Sequence, residues 1–252
     1  MKRLQDRCAL VTGASAGIGA ATARALAAEG ATCLLVARRA ERLEALCAEL
    51  PGAIPVVADV CDRTGLEAAV SAALPAGRQI DLAVLNAGLA RGTEPLQAGD
   101  PDEWSEVLDT NVKGVLHGLK LVLAGMVERG EGHVVVLGSV AGRWVYPGGA
   151  VYCASKSAVR ALYEGARLDA AGSGVRFTTV DPGMVATDFS EVRFRGDAAK
   201  AATVYEGFQP LQPEDVADAI LYAVTRPQHV DVGELVLWPT AQASVRDVKR
   251  DS

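Results

Sequence analysis

Short apolar runs alternate along the chain with longer stretches in which Ala and Leu recur among Glu and Arg at helical spacing. The runs at 8–12, 32–37, 54–58, 80–85, 133–138, 175–180 and 234–237 read as strands. Stretches 20–29, 41–50 and 63–74 read as helices. Asp100-Pro101 starts another, an N-cap carboxylate followed by proline at the first helical position. Such alternation calls for a parallel sheet, right-handed crossovers and helices on both faces. The expected fold is α/β, a doubly wound parallel sheet of seven strands. No internal repeat or Pro/Ser-rich linker divides the chain, so residues 1–243 are expected to form a single domain. Two stretches break the rhythm. Residues 188–213 are polar and irregular after a Pro182-Gly183 break, as in a lid over a site. Residues 244–252 form a charged tail expected to fray.

Half of the 252 residues are apolar and only 5% aromatic, so the core must be built from Ala, Val and Leu. A net charge of −6 argues against nucleic acid, which demands a basic surface. Five cysteines, with no C-x-x-C or Cys/His spacing, predict neither a metal site nor a disulfide framework, and favour a reducing compartment. Residues 1–7 run straight into an apolar strand with no signal sequence, and no apolar run approaches the roughly 20 residues that span a bilayer. The expectation is a cytoplasmic protein acting on a small molecule.

The first strand ends in Thr12-Gly13-Ala14-Ser15-Ala16-Gly17-Ile18-Gly19 and turns directly into a helix. Glycines at 13, 17 and 19 suit a sharp turn, close approach to a pyrophosphate, and tight helix–strand packing. The helix N-terminus would offer N–H groups to the phosphates. This makes the expected sheet Rossmann-type. The spacing, T-G-x-x-x-G-I-G, resembles that of the short-chain dehydrogenase/reductase family. Further marks follow in order: Asp59-Val60, Asn86-Ala87-Gly88, Asn111, Ser139, Tyr152-x-x-x-Lys156 and Asp181-Pro182-Gly183. The family's Asn-Asn-Ala-Gly stands here as Leu85-Asn86-Ala87-Gly88. The resemblance runs from Cys8 to about Gln242.

An acidic residue after the second strand would hydrogen-bond the ribose hydroxyls of NAD, whereas a 2′-phosphate needs a cation. The chain has Ala37-Arg38-Arg39 there, so NADP(H) is the expected cofactor, with Ser15 adding a hydroxyl. The resemblance extends the cofactor contacts to Gly13, Gly17, Ile18, Gly19, Asp59, Val60, Asn86, Ala87, Gly88, Tyr152, Lys156, Pro182, Gly183, Val185 and Thr187.

Tyr152 and Lys156 stand four apart in a helical stretch and share one face. A free phenol titrates near pH 10. A neighbouring ammonium and an oxidised nicotinamide both favour its phenolate, and lowering it by about three units takes roughly 4 kcal/mol. The resemblance implies that Tyr152 is the general acid/base, that Ser139 binds the substrate oxygen, and that Lys156 tunes Tyr152 and holds the nicotinamide ribose. It implies also that Asn111 anchors a relay water and that Thr187 meets the carboxamide. Cys153, His117 and His133 read as structural, His229 lies in a polar loop, and no metal is expected.

The lid and the ending 237–242 resemble one subgroup, the NADP-dependent dehydrogenases of serine, allo-threonine and short 3-hydroxy acids. Arg193, Arg195 or Lys200 could grip a substrate carboxylate; equally, they could pair with Glu191 and Asp197 on a solvated surface. The expected activity is thus hydride transfer between nicotinamide and the alcohol or carbonyl of a short 3-hydroxy acid or β-hydroxy amino acid. The alternatives are a reductase of bulkier ketones, aldehydes or 3-oxoacyl thioesters, and a non-catalytic NADPH-binding protein. The resemblance also implies a homotetramer or homodimer.

Overall fold

The computed structural model describes residues 2–251. Seven parallel strands lie in the order β3-β2-β1-β4-β5-β6-β7. β1 (Cys8–Thr12), β2 (Thr32–Ala37) and β7 (Glu234–Leu237) occupy the expected positions. β3 (Ala53–Val57) and β5 (Gly132–Leu137) begin one residue early, and β6 (Val175–Pro182) runs on through the proline. β4 (Leu82–Leu85) starts two residues later than the apolar run, and just ahead of it the Asp81 carboxylate accepts the Cys8 N–H, 2.7 Å away.

The helices sort by face, as the alternation of strand side chains requires. On one side α1 (Gly17–Ala28), α2 (Ala40–Glu49) and α9 (Pro213–Val224) bury Leu26, Leu43 and Ile220 against Val11, Leu35 and Val135. On the other α3 (Arg63–Ala73), α5 (Gly114–Arg129) and α6 (Ala150–Asp169) bury Leu66, Met126 and Val159 against Leu10, Leu34 and Val134. β1 is flanked by β2 on one side and β4 on the other, so connections leave it in opposite directions and a crevice opens at the carboxyl ends of the strands. Between α4 (Pro101–Leu108) and α5 the helix widens into a π-turn, Asp109–Lys113, a local irregularity common beside functional sites.

The stretch expected to be irregular carries two short helices, α7 (Phe189–Arg193) and α8 (Ala198–Thr203), separated where Arg195 and Gly196 take φ of 53° and 86°. The tail does not fray as its charge suggested. Lys249 N–H donates to Ala241 O at 2.8 Å and Asp251 N–H to Gly207 O at 2.6 Å, so it folds back onto the lid. Among the described residues no helix is long and apolar enough to cross a membrane, and no three His, Cys, Asp or Glu side chains gather as metal ligands.

Candidate active site

A cavity of about 500 Å³ fills the crevice, from the glycine turn after β1 to the lid. Its floor is tied across strands. Thr12 Oγ1 accepts the N–H groups of Asn86 (3.0 Å) and Ala87 (3.1 Å), and Asn86 Nδ2 donates to Thr12 O at 2.8 Å. Gly13 and Gly17 have φ of +67° and +52°, and a Cβ on Gly13 would come within 2.9 Å of the Ala87 backbone. No side chain caps α1 and no acidic residue sits in its first turn, so its N–H groups and positive end stay available to an anion.

Beyond the turn, Arg39 donates from Nε and Nη2 to Ser15 Oγ at 3.2 and 2.9 Å. Arg38 leans toward Asp59, with 3.7 Å between charged atoms. Val60, Gly88, Pro182, Gly183, Val185 and Thr187 complete this half of the wall. Each expected cofactor contact therefore lines the cavity except Gly19, which sits beneath the turn, where a Cβ would lie 2.3 Å from Gly13 O. A turn with no room for Cβ atoms, an uncapped helix start and a paired arginine and serine together fit a phosphorylated dinucleotide.

Ser139, Tyr152 and Lys156 form the opposite wall. Ser139 Oγ accepts the Ala141 N–H at 3.1 Å, which leaves its own O–H to donate. Lys156 is buried, and Nζ donates to Leu137 O at 2.8 Å, with two hydrogens left over. Asn111 lies below the cavity, fully buried: Oδ1 accepts the Leu89 N–H and Nδ2 donates to Leu89 O and Ser155 Oγ, all within 3.0 Å. Its amide hydrogens are fully engaged, so a water could be anchored only through its remaining acceptor positions.

The electrostatics differ from the sequence expectation. The protein's own groups do not make the Tyr152 phenol acidic; burial pushes it up to about 12, aided by Tyr146, while Arg193 and a hydrogen bond from Ser139 pull it down. Burial also pushes the Lys156 ammonium down to about 8, against the nearby Asp181 carboxylate. The cation pressed on the phenol is Arg193, whose Cζ stands 5.4 Å from the Tyr152 ring centroid.

The two lid arginines separate. Arg193 lines the cavity and donates from Nη2 to Tyr146 Oη at 3.2 Å. Arg195, expected as a second substrate contact, is exposed outside the cavity and paired with Glu103 at 2.6 Å, because the left-handed turn at 195 swings it outward. Lys200 likewise stacks on Phe194 rather than facing the site.

The short chain dehydrogenase family model matches residues 7–197. The chain belongs to that family. The NADP-dependent 3-hydroxy acid dehydrogenase YdfG of Salmonella typhi is 43% identical over 237 residues, 93% of this chain and 95% of its own. Sulfoacetaldehyde reductase 2 of Chromohalobacter salexigens is 43% identical over 247 residues, covering 96% and 98%. Among solved structures, the closed form of serine dehydrogenase complexed with NADP+ superimposes with a TM-score of 0.92 at 39% identity, covering 96% of this chain and 99% of that one.

In this dehydrogenase the histidines and Cys153 keep away from the reactive wall. His117 Nδ1 bonds Val60 O at 2.8 Å, His133 is buried against Thr178, His229 is exposed, and the Cys153 thiol faces Trp144 O. Sequence reasoning missed Tyr146, Phe189, Tyr205 and Gln242 on the wall. Gln242 carried a signal, a polar residue inside the last apolar stretch; its Oε1 accepts the Met184 N–H at 2.9 Å and so fixes the segment after β6. The three aromatics arrive on loops and short helices, where no periodicity marks them.

Proposed function

We propose that this dehydrogenase uses NADP(H) to interconvert the alcohol and carbonyl forms of short substrates that carry an anionic group, 3-hydroxy acids and β-hydroxy amino acids such as serine above all. The observation that carries the reading is Arg193, a guanidinium that lines the cavity against Tyr152 and is held there by a phenol and two aromatic rings. The similar proteins act on, or are named for, a 3-hydroxy acid, a sulfonated aldehyde and serine, each with an anionic group near the reacting carbon.

The glycine turn and the start of α1 hold the pyrophosphate, and Arg38, Arg39 and Ser15 hold the 2′-phosphate. When bound, the nicotinamide supplies or accepts the hydride. The chain's own residues do the rest. Tyr152 Oη donates a proton to the substrate oxygen in reduction and takes it back in oxidation. Ser139 O–H donates to that same oxygen and steadies its developing charge. Lys156, with two ammonium hydrogens beyond its bond to Leu137 O, holds the ribose. Arg193 fixes the anionic end, which orients the reacting carbon.

The test is oxidation of 3-hydroxyisobutyrate and serine with NADP+, read as NADPH absorbance. Arg193→Met should raise KM by about 10- to 100-fold, the value of a lost charge-assisted contact. Arg195→Met should leave KM within about twofold, as befits an exposed ion pair. Preference for uncharged bulky ketones, or equal KM in both variants, would overturn the reading. Tyr152→Phe should abolish turnover yet still bind NADPH. Arg39→Ala should lower kcat/KM for NADPH by about 100-fold while sparing NADH, since only the former carries the phosphate.

We also infer a cytoplasmic location and assembly into a homotetramer or homodimer. Leu116 and Val127 on α5 and Leu168 on α6 are 43%, 43% and 73% exposed, an apolar surface that a second copy would cover. Light scattering measures the assembly.

A further inference from the structure

Arg193 differs from the other lid cations in its surroundings. Its Nη2 donates to the Tyr146 phenol, its Cζ stands 5.4 Å from the ring centroid of Tyr152 and 5.3 Å from that of Phe189, and its Nε is buried without a partner. Among the described residues no carboxylate pairs with it. The acidic groups bordering this region are already engaged: Glu103 with Arg195, Glu106 with Arg91, and Glu94 with the Thr93 N–H. The guanidinium is thus held by uncharged groups alone, and its positive charge faces the phenols of both Tyr146 and Tyr152.

We propose that Arg193 couples substrate recognition to acid–base chemistry: it takes the anionic end of the substrate and, stacked on the ring of Tyr152, sets how readily that phenol releases its proton, so the substrate's own charge tunes the group that acts on it. The proposal rests on the anionic-substrate reading above. A bound carboxylate neutralises the guanidinium, and the phenol then holds its proton more tightly. Reduction gains, because the acid stays loaded; oxidation of the same substrate then requires a higher pH.

The other groups facing the phenol do not imitate this effect. Tyr146, ahead of α6, and Cys153, within it, are both pushed up by burial and remain neutral near pH 8. Ser139 does not titrate in this range. Lys156, pushed down to about 8, titrates in the window of interest but is unchanged by substitution at 193. Arg193 is the cation that pulls the phenol down against burial.

A pH profile of kcat/KM reports the enzyme before substrate binds, and one of kcat reports the complex. The experiment is oxidation of 3-hydroxyisobutyrate by the enzyme saturated with NADP+, its substrate dependence resolved at each pH into kcat and kcat/KM. In the wild type the acidic limb of kcat should lie about one pH unit above that of kcat/KM. In Arg193→Met the acidic limb of kcat/KM should rise by about one pH unit, and Arg193→Lys, which keeps the charge, should bring part of that rise back down. Coincident limbs in the wild type, or an unmoved kcat/KM limb in Arg193→Met, would overturn the coupling while leaving the hydroxy-acid activity intact. No turnover of the hydroxy acid at any pH would instead bring down the reading beneath it.

Discussion

Lys156 shows what the site costs the fold. An ammonium buried at 5% exposure and brought down to about 8 is held in a medium that disfavours its charge. The unfolded chain keeps that proton up to the ordinary lysine value of 10.5, while the folded chain gives it up near 8. Folded stability should therefore rise with pH between those values and be diminished below them. Lys156→Met keeps the aliphatic stem and removes the charge. At pH 7 the relief is worth about 3 kcal/mol, less roughly 2 for the lost bond to Leu137 O. The variant should be about 1 kcal/mol more stable in urea denaturation, lack the rise between pH 8 and 10.5, and turn over at least about a hundredfold more slowly. Reduced stability would mean that the cleft solvates the ammonium better than its burial implies. The pairing of Tyr152 with Lys156 was legible in sequence, because positions four apart on a helix share a face. The balance of charge and desolvation around them was not, since it depends on Arg193, which reaches Tyr152 from forty-one positions further along the chain, on a helix of five residues.

At the scale of elements, the turn between β1 and α1 places helix dipole, strand end and cavity in one spot. A Cβ on Gly19 would stand 2.3 Å from Gly13 O and 2.6 Å from Asn86 Nδ2, both fixed by the ties between β1 and β4. Backbone cannot yield there without moving the turn that receives the phosphates. Gly19→Ala should lose about 2 kcal/mol of stability or more, and weaken NADPH binding tenfold or more. Denaturation and fluorescence titration measure the two effects; an unchanged Kd would show that the turn relaxes without consequence. β1, β2 and β7 could be read to the residue because polar or glycine-bearing breaks bound their apolar runs. β4 could not, since periodicity does not reveal that the Asp81 carboxylate takes up the Cys8 N–H at the head of the strand. Nor were α7 and α8 visible: helices of five and six residues contain too few turns for a repeat to register.

Across the whole molecule, the last residues of the chain bear on the cavity both directly, through Val245 on its wall, and from outside it. Arg250 donates from Nη2 to Val204 O at 3.1 Å, bonds Glu206 O through Nη1, and lies over the Phe208 ring. Those contacts hold the segment carrying Tyr205, whose Oη donates to Val185 O at 2.7 Å and accepts from Ser190 Oγ at 2.9 Å. Val185, Ser190, Val204 and Tyr205 all line the cavity, so a chain of hydrogen bonds runs from an exposed C-terminal arginine to the wall of the site. Charge composition alone predicted a frayed tail, because it registers solvation and not the unpaired lid carbonyls that a guanidinium can collect. The contacts are exposed, so Arg250→Ala should cost less than about 1 kcal/mol of global stability. It should nevertheless loosen residues 204–208 and raise KM for hydroxy acid and NADP+ about three- to tenfold, with kcat unchanged or higher if lid opening limits release. Hydrogen exchange on that segment and steady-state kinetics measure both effects. Faster exchange with unaltered KM would mean that the tail orders the lid but the lid does not shape the site; slow exchange in the variant would mean that α8 and Tyr205 hold the segment by themselves.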